Sequence, residues 1–152
     1  MERKFVVAQL PDAVRDGHAV GTAIRQGYLA EEAGVEVRIR ITADQAVLTV
    51  KAGTGLSRTE VECRLAMADA EALWPSTAGR RIDKVRHRLP MGAQTAEIDV
   101  YAGELSGLVV VEVEFVSTDA AAGFAPPQWF GEELTGRTGW SNAALARHGR
   151  PH

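Results

Sequence analysis

The sequence has a single cysteine, Cys63, in 152 residues, so an intramolecular disulfide framework and a cysteine-based zinc cluster are both excluded. It lacks an excess of either charge. Lys and Arg number 17 and Asp and Glu 20, a formal charge of −3, which excludes a generally basic nucleic-acid coat while leaving room for a local basic site. No apolar stretch approaches the roughly 20 residues of a membrane span. Met1-Glu2-Arg3-Lys4 leads only into Phe5-Val6-Val7-Ala8-Gln9-Leu10 before Pro11-Asp12, with too short an apolar run and no small-residue cleavage site for a signal peptide. There is no internal repeat, low-complexity tract or Pro- or Ser-rich linker. These absences predict a soluble cytoplasmic protein without a membrane or nucleic-acid partner. The Ala-, Gly- and Arg-rich composition fits a bacterial high-GC genome.

What is present is one globular domain's worth of chain, expected to span residues 1–152. Hydrophobic residues make up 45% and charged residues 24%, enough to bury a core without disulfides or structural metal. Period-two alternation dominates. It runs through Val37-Arg38-Ile39-Arg40-Ile41, Val47-Leu48-Thr49-Val50-Lys51, Glu60-Val61-Glu62-Cys63-Arg64-Leu65 and Lys84-Val85-Arg86-His87-Arg88-Leu89. It returns in Glu97-Ile98-Asp99-Val100-Tyr101 and Glu112-Val113-Glu114-Phe115. These segments read as strands, punctuated by turn residues Gly53, Gly55, Gly92, Gly103 and Gly107. Helical spacing occurs over 66–74, stopped by Pro75. Short helices are expected after the caps Ser117 and Ser141, ending near Phe124 and Ala146. Residues 125–131, rich in Pro and aromatics, read as an ordered loop.

The polar partners in these strands are nearly all full charges, in i, i+2 pairs: Glu2 and Lys4, Arg38 and Arg40, Glu60 and Glu62, Lys84 and Arg86, Glu97 and Asp99, Glu112 and Glu114. A spacing of two places both side chains on one face of a strand. A single such pair is ordinarily a solvated salt-bridged face. Six pairs together point elsewhere, because paired carboxylates repel unless a cation sits between them. A sheet closed into a barrel, its charged face inward around water, metal and a polyanion, accommodates them. Carboxylate oxygens suit Mg²⁺ or Mn²⁺, and Arg and Lys suit phosphate oxygens.

Glu2-Arg3-Lys4-Phe5, Ile24-Arg25-Gln26-Gly27-Tyr28-Leu29, Arg38-Ile39-Arg40, Leu48-Thr49-Val50-Lys51 and Ser57-Arg58-Thr59-Glu60-Val61-Glu62 occur in that order. Lys84-Val85-Arg86, Glu97-Ile98-Asp99, Glu112-Val113-Glu114-Phe115 and Pro127-Gln128-Trp129-Phe130-Gly131-Glu132-Glu133-Leu134-Thr135 follow. The ordered set resembles the CYTH family, also called triphosphate tunnel metalloenzymes, in its short bacterial inorganic triphosphatase form, over residues 2 to about 146. The resemblance implies a closed antiparallel eight-stranded β-barrel, mainly β with a few covering helices, that binds a triphosphate and one or two divalent cations. It implies that Arg38, Arg40, Lys51, Arg58, Lys84 and Arg86 bind substrate. Glu2, Glu60, Glu62, Asp99, Glu112 and Glu114 would form the metal side, and Lys4 and Tyr28 would be catalytic. One departure stands out. The family's first motif is Glu-x-Glu-x-Lys, and its first Glu would fall one position before Met1. Either the start is one codon late or one metal-site carboxylate is lacking, which bears on the second metal and on rate, not on fold.

Other residues carry plainer expectations. Cys63, opposite in facing to Glu62, is expected in the core. His87 points away from Lys84 and Arg86, and His148 and His152 sit in a polar tail. Trp74, Trp129 and Phe130 are expected to close a core. Gly27 lacks the Gly-rich strand-to-helix turn of a phosphate loop. The expected reaction is metal-dependent hydrolysis of inorganic tripolyphosphate to diphosphate and phosphate. Thiamine triphosphatase or adenylate cyclase activity in the same tunnel, or a polyphosphate-binding module without turnover, are the alternatives. A homodimer through the outer face is compatible with the sequence.

Overall fold

The computed structural model describes residues 1–53 and 58–152. The expected turn at Gly55, and Ser57 of the motif preceding Glu60, lie outside the described residues. Nine strands alternate with short helices: β1 Glu2–Val7, α1 Asp12–Arg15, β2 Gly21–Glu32, β3 Val35–Ile41, β4 Ala46–Ala52, β5 Thr59–Leu65, α2 Met67–Leu73, β6 Arg81–Met91, β7 Gln94–Tyr101, β8 Val109–Glu114, α3 Thr118–Ala122, β9 Phe130–Glu133 and α4 Asn142–His148. The caps Ser117 and Ser141 each accept from the backbone N–H three residues on, as their positions predict. Pro75 converts the end of α2 into a 3₁₀ turn, Trp74–Thr77.

All strands form one antiparallel sheet in the order β5-β4-β3-β2-β6-β7-β8-β1-β9. The expected closed eight-stranded barrel is corrected here: the sheet has nine strands and is open, β5 at one edge and β9 at the other. The reason lies in β9. Residues 125–131 form a loop only as far as Trp129, after which four residues add to β1, with Phe5 opposite Glu133 and Val7 opposite Phe130. The free edge of β1, which closure would pair with β5, is thereby taken. The sheet nevertheless rolls into a trough, because residues of β5 and of β1 line the same cavity.

The apolar residues between the charges face outward and are roofed by helices. Phe5, Ile98, Val111, Val113 and Phe115 pack with Ala121 of α3 and with Phe130, which meets Phe5 at 5.0 Å between ring centroids. Ile39, Ile41 and Ala46 pack beneath Ala70 of α2, with Trp74 alongside. At one end the concave face also turns apolar, where Ile82, Tyr101, Val110 and Leu134 meet Leu145 of α4. Trp129 lies partly buried against the first of these clusters. Cys63 departs from expectation. It does face away from Glu62, but β5 is an edge strand whose one half-buried residue is Leu65, and Cys63 is exposed. His87 packs on the outer face, its Nδ1 3.1 Å from the Ala19 carbonyl oxygen. Among the described residues no helix is long and apolar enough to cross a membrane.

Candidate active site

Strand register assembles the charged pairs into one surface. Arg38 lies opposite Tyr28 on β2 and Thr49 on β4, and Arg40 lies opposite Gln26. Lys51 faces Glu36 on one side and Glu60 on the other, while Glu62 faces Thr49. Arg86 pairs with Asp99, Glu97 with Glu112, Lys4 with Glu112 and Glu2 with Glu114. Directly opposed residues share a face, so every expected pair lies on the concave side. The trough encloses a cavity of about 610 Å³ lined by Glu2, Lys4, Tyr28, Arg38, Arg40, Lys51, Arg58, Glu60, Glu62, Arg86 and Glu112. Lys84 and Asp99 lie behind this lining, and Glu114 sits exposed at the rim, 3.4 Å from the N-terminal ammonium.

Asp99 is 1% exposed and holds two cations. Lys84 Nζ donates to Oδ2 at 2.8 Å, while Arg86 donates from Nε to Oδ1 at 2.8 Å and from Nη2 to Oδ2 at 2.9 Å. Both oxygens of this carboxylate, expected among the metal ligands, are thus engaged by cations. Burial works against its charge, but hydrogen bonding from Arg86 and the two positive charges hold the carboxyl below the usual range. Burial pushes the Lys84 ammonium down to about 8 against the attraction of Asp99. Arg86 is also desolvated, yet Asp99 outweighs that and strengthens its hold on the proton.

The carboxylates gather on both sides of the trough mouth. Glu2 has its pKa pushed up to about 7 by removal from water and by the charges of Glu112 and Glu114. The nearby charge of Lys4 works in the opposite direction and does not cancel them. Lys4, 9% exposed, stands 3.7 Å from Glu112 and donates to the Trp140 carbonyl oxygen at 2.6 Å. Across the trough, desolvation and neighbouring guanidinium groups weaken the protonation of Arg40 and Lys51. Arg38 is also 9% exposed, and its buried Nε has no hydrogen-bond partner among the described residues.

Several further residues contribute to the trough. Gln26 and Glu36 precede Tyr28 and Arg38 by two residues, so the spacing rule already applied to the charged pairs places them on the same face. Residues 134–143 also line the cavity, and Asn142 accepts from the Tyr101 hydroxyl at 2.6 Å. The Ser141 cap signals the helix but not its placement, and the segment reaches the trough because α4 folds back over its apolar end. Gly27 has a packing role. A Cβ there would stand 2.7 Å from Thr77 Cβ, so glycine lets the 3₁₀ turn abut β2.

No protein-family model matches the chain. It is 48% identical over 149 residues to an inorganic triphosphatase of Nitrosomonas europaea, covering 96% of this chain and 95% of that protein. It is 34% identical over 150 residues to an inorganic triphosphatase of Acetivibrio thermocellus, covering 97% and 93% respectively. Among solved structures, the crystal structure of the inorganic triphosphatase NE1496 matches with a TM-score of 0.78 at 41% identity over 99% of both chains. These similarities run the length of a chain whose rolled sheet faces a cation-and-carboxylate trough, and the chain belongs to the inorganic triphosphatase group of the CYTH, or triphosphate tunnel, family.

Proposed function

We propose that the protein hydrolyses linear inorganic tripolyphosphate to diphosphate and phosphate, with Mg²⁺ or Mn²⁺ as cofactor. The observation that carries this reading is the Arg38 guanidinium, buried in the trough with an unpartnered Nε. An unpaired buried donor is costly unless an anion takes the place. Arg40, Lys51 and Arg86 line the same cavity. A linear triphosphate carries about −4 to −5 near neutral pH, from about −1.5 to −2 per end group and about −1 in the middle, a charge these side chains and a divalent ion together offset.

The donor set fits a hard cation, since Glu2, Glu112, Glu114, Glu60 and Glu62 supply only carboxylate oxygens. Among the described residues no three candidate ligands already stand at metal-binding spacing. That suits Mg²⁺, which takes one or two carboxylates and completes its shell with substrate oxygens and water. When bound, the ion would neutralise phosphate charge and lower the pKa of a coordinated water. The chain's own residues supply position. Phosphoryl transfer depends mainly on alignment and charge neutralisation, and the guanidinium groups of Arg38 and Arg40 fit phosphate oxygens, with Arg86 adding its charge from behind its fork to Asp99. Asp99 acts as a counter-ion that aims Arg86. Lys4, its Nζ held by Glu112 and the Trp140 carbonyl, would take the proton of the attacking water as the neutral amine.

Selection of an inorganic chain follows from where the large aromatics lie. The rings of Trp74 and Trp129 pack with the outward-facing clusters, which leaves Trp140, packed against the apolar end, as the indole that lines the cavity. Among the described residues no indole pair is available to hold a base. The test is a panel of tripolyphosphate, ATP and thiamine triphosphate with separate phosphate and diphosphate detection. Preferred turnover of tripolyphosphate with both products is expected. Preferred turnover of a nucleoside triphosphate, or tight saturable binding without hydrolysis, would overturn the proposal.

A further inference from the structure

One neutral side chain in the trough has no part in the chemistry above, yet it touches two groups that do. Gln26 is 0% exposed and lies on the concave face of β2, opposite Arg40 on β3 and Ile82 on β6. Arg40 Nε donates to Gln26 Oε1 at 2.9 Å, and Gln26 Nε2 donates to the Tyr28 hydroxyl oxygen at 2.7 Å. Chemistry fixes which end of the amide is which. A guanidinium carries only donors, so the end facing Arg40 must be the oxygen. The NH₂ end then faces Tyr28, whose oxygen must accept.

A phenol has one proton. With its oxygen accepting from Gln26, that proton points elsewhere, and Arg38 opposite Tyr28 has nothing to receive it. Among the described residues Tyr28 donates to no protein group, and its side chain lines the cavity. Burial also raises the affinity of the phenol for its proton.

We infer that Gln26 is a positioning residue that fixes Tyr28 as a hydrogen-bond donor to a phosphate oxygen of the substrate while holding the Arg40 fork in the orientation that grips the same chain. The inference rests on the triphosphatase reading. Tyr28 enters this arrangement as a donor and not as a proton acceptor. Arg40, tied through Nε, keeps its outer nitrogens for the substrate.

Gln26→Glu keeps the volume and the acceptor for Arg40 but replaces the NH₂ donor with a second acceptor. The phenol then donates to the new carboxylate and is withdrawn from phosphate. Loss of one hydrogen bond to a charged group should lower kcat/KM about tenfold or more. In a Tyr28→Phe background the same substitution should cause no further loss, because the group it acts through is gone. Gln26→Met, neutral and similar in volume, serves should the buried carboxylate disturb folding: it removes both hydrogen bonds, so it should lower activity through Tyr28 and Arg40 together. The chain has two tyrosines, and the carbon NMR signal of Tyr28 Cζ is identified by its loss in Tyr28→Phe. That signal should shift in Gln26→Glu without any substrate present. Unchanged kcat/KM in both position-26 variants, or a further fall when Gln26→Glu is added to Tyr28→Phe, would overturn the inference. A shifted signal in a protein whose parent hydrolyses no triphosphate would uphold the hydrogen-bond direction and overturn the reading on which the inference rests.

Discussion

Replacing Asp99 with Asn removes a negative charge on which two buried positive charges depend. The carboxylate accepts from Lys84 Nζ, Arg86 Nε and Arg86 Nη2 at 2.8, 2.8 and 2.9 Å. The side chains of Lys84 and Arg86 are only 0% and 12% exposed, so water cannot substitute. An amide keeps one accepting oxygen and turns an NH₂ toward a cation that can only donate. Breaking a buried ion pair by removing one partner costs about 3–5 kcal/mol. At this chain length each kcal/mol lowers Tm by about 2–4 °C, so the expected fall is about 6–20 °C. Thermal unfolding followed by circular dichroism measures it. Two signatures separate this cause from a simple packing defect. The leftover charge is positive, so sulfate or tripolyphosphate should raise Tm more in the variant than in the parent, and Lys84→Met added to Asp99→Asn should recover stability. The deficit should also shrink as pH rises. Lys84 already titrates near 8 in the fold, against about 10.4 unfolded, and loses Asp99's support in the variant. Losing that support lowers the folded value further, so from there up to about pH 8 the variant alone gains stability as pH rises, and above pH 8 both proteins gain alike. A Tm within about 3 °C of the parent, or a double variant no more stable than the single, would refute the argument.

Excess chelator should abolish turnover, with Mg²⁺ or Mn²⁺ restoring it and Ca²⁺ binding while supporting little activity; calorimetric titration of Glu114→Gln should show weakened Mg²⁺ binding. Lys4→Arg keeps the charge but not a readily deprotonated amine, so nearly all turnover should vanish at unchanged KM, and near-parental kcat would reassign Lys4 as a phosphate holder. Gly27→Ala drives a methyl group to 2.7 Å from Thr77; overpacking of about 1–3 kcal/mol should lower Tm by about 2–12 °C. Glu2 binds its proton up to about pH 7 in the fold, against a usual value of 4.5, so between those values the folded chain holds more protons and metal-free stability should fall as pH rises. Urea unfolding of the parent beside Glu2→Gln should show that slope only in the parent, and a slope unchanged by the substitution would refute the assignment.

The charged face was legible because a strand repeats every two residues, and Arg38-Ile39-Arg40 or Glu112-Val113-Glu114 can place its charges on only one side. Local spacing does not say which strand lies beside which. That Asp99 meets Lys84 and Arg86 follows from the β6–β7 register, a non-local fact. β9 was illegible for a related reason: Phe130-Gly131-Glu132-Glu133 has no alternation of its own and becomes a strand only by pairing with β1. Its arrival also takes the edge that would have closed the barrel. Cys63 shows the limit of alternation as a guide to burial. The pattern tells which way a side chain points, but whether that side is covered depends on where the strand falls in the sheet.

Within each strand, neighbouring residues serve different masters: Phe5 the outer packing and Lys4 the trough, Ile39 the one and Arg38 the other. A single-codon insertion inside any of these strands would therefore exchange the two duties at a stroke, sending charges under the helices and aliphatic groups into the water-filled groove. Length variation is confined by this geometry to the hairpin tips, such as that at Gly92, and two-residue insertions should be tolerated within strands far better than one.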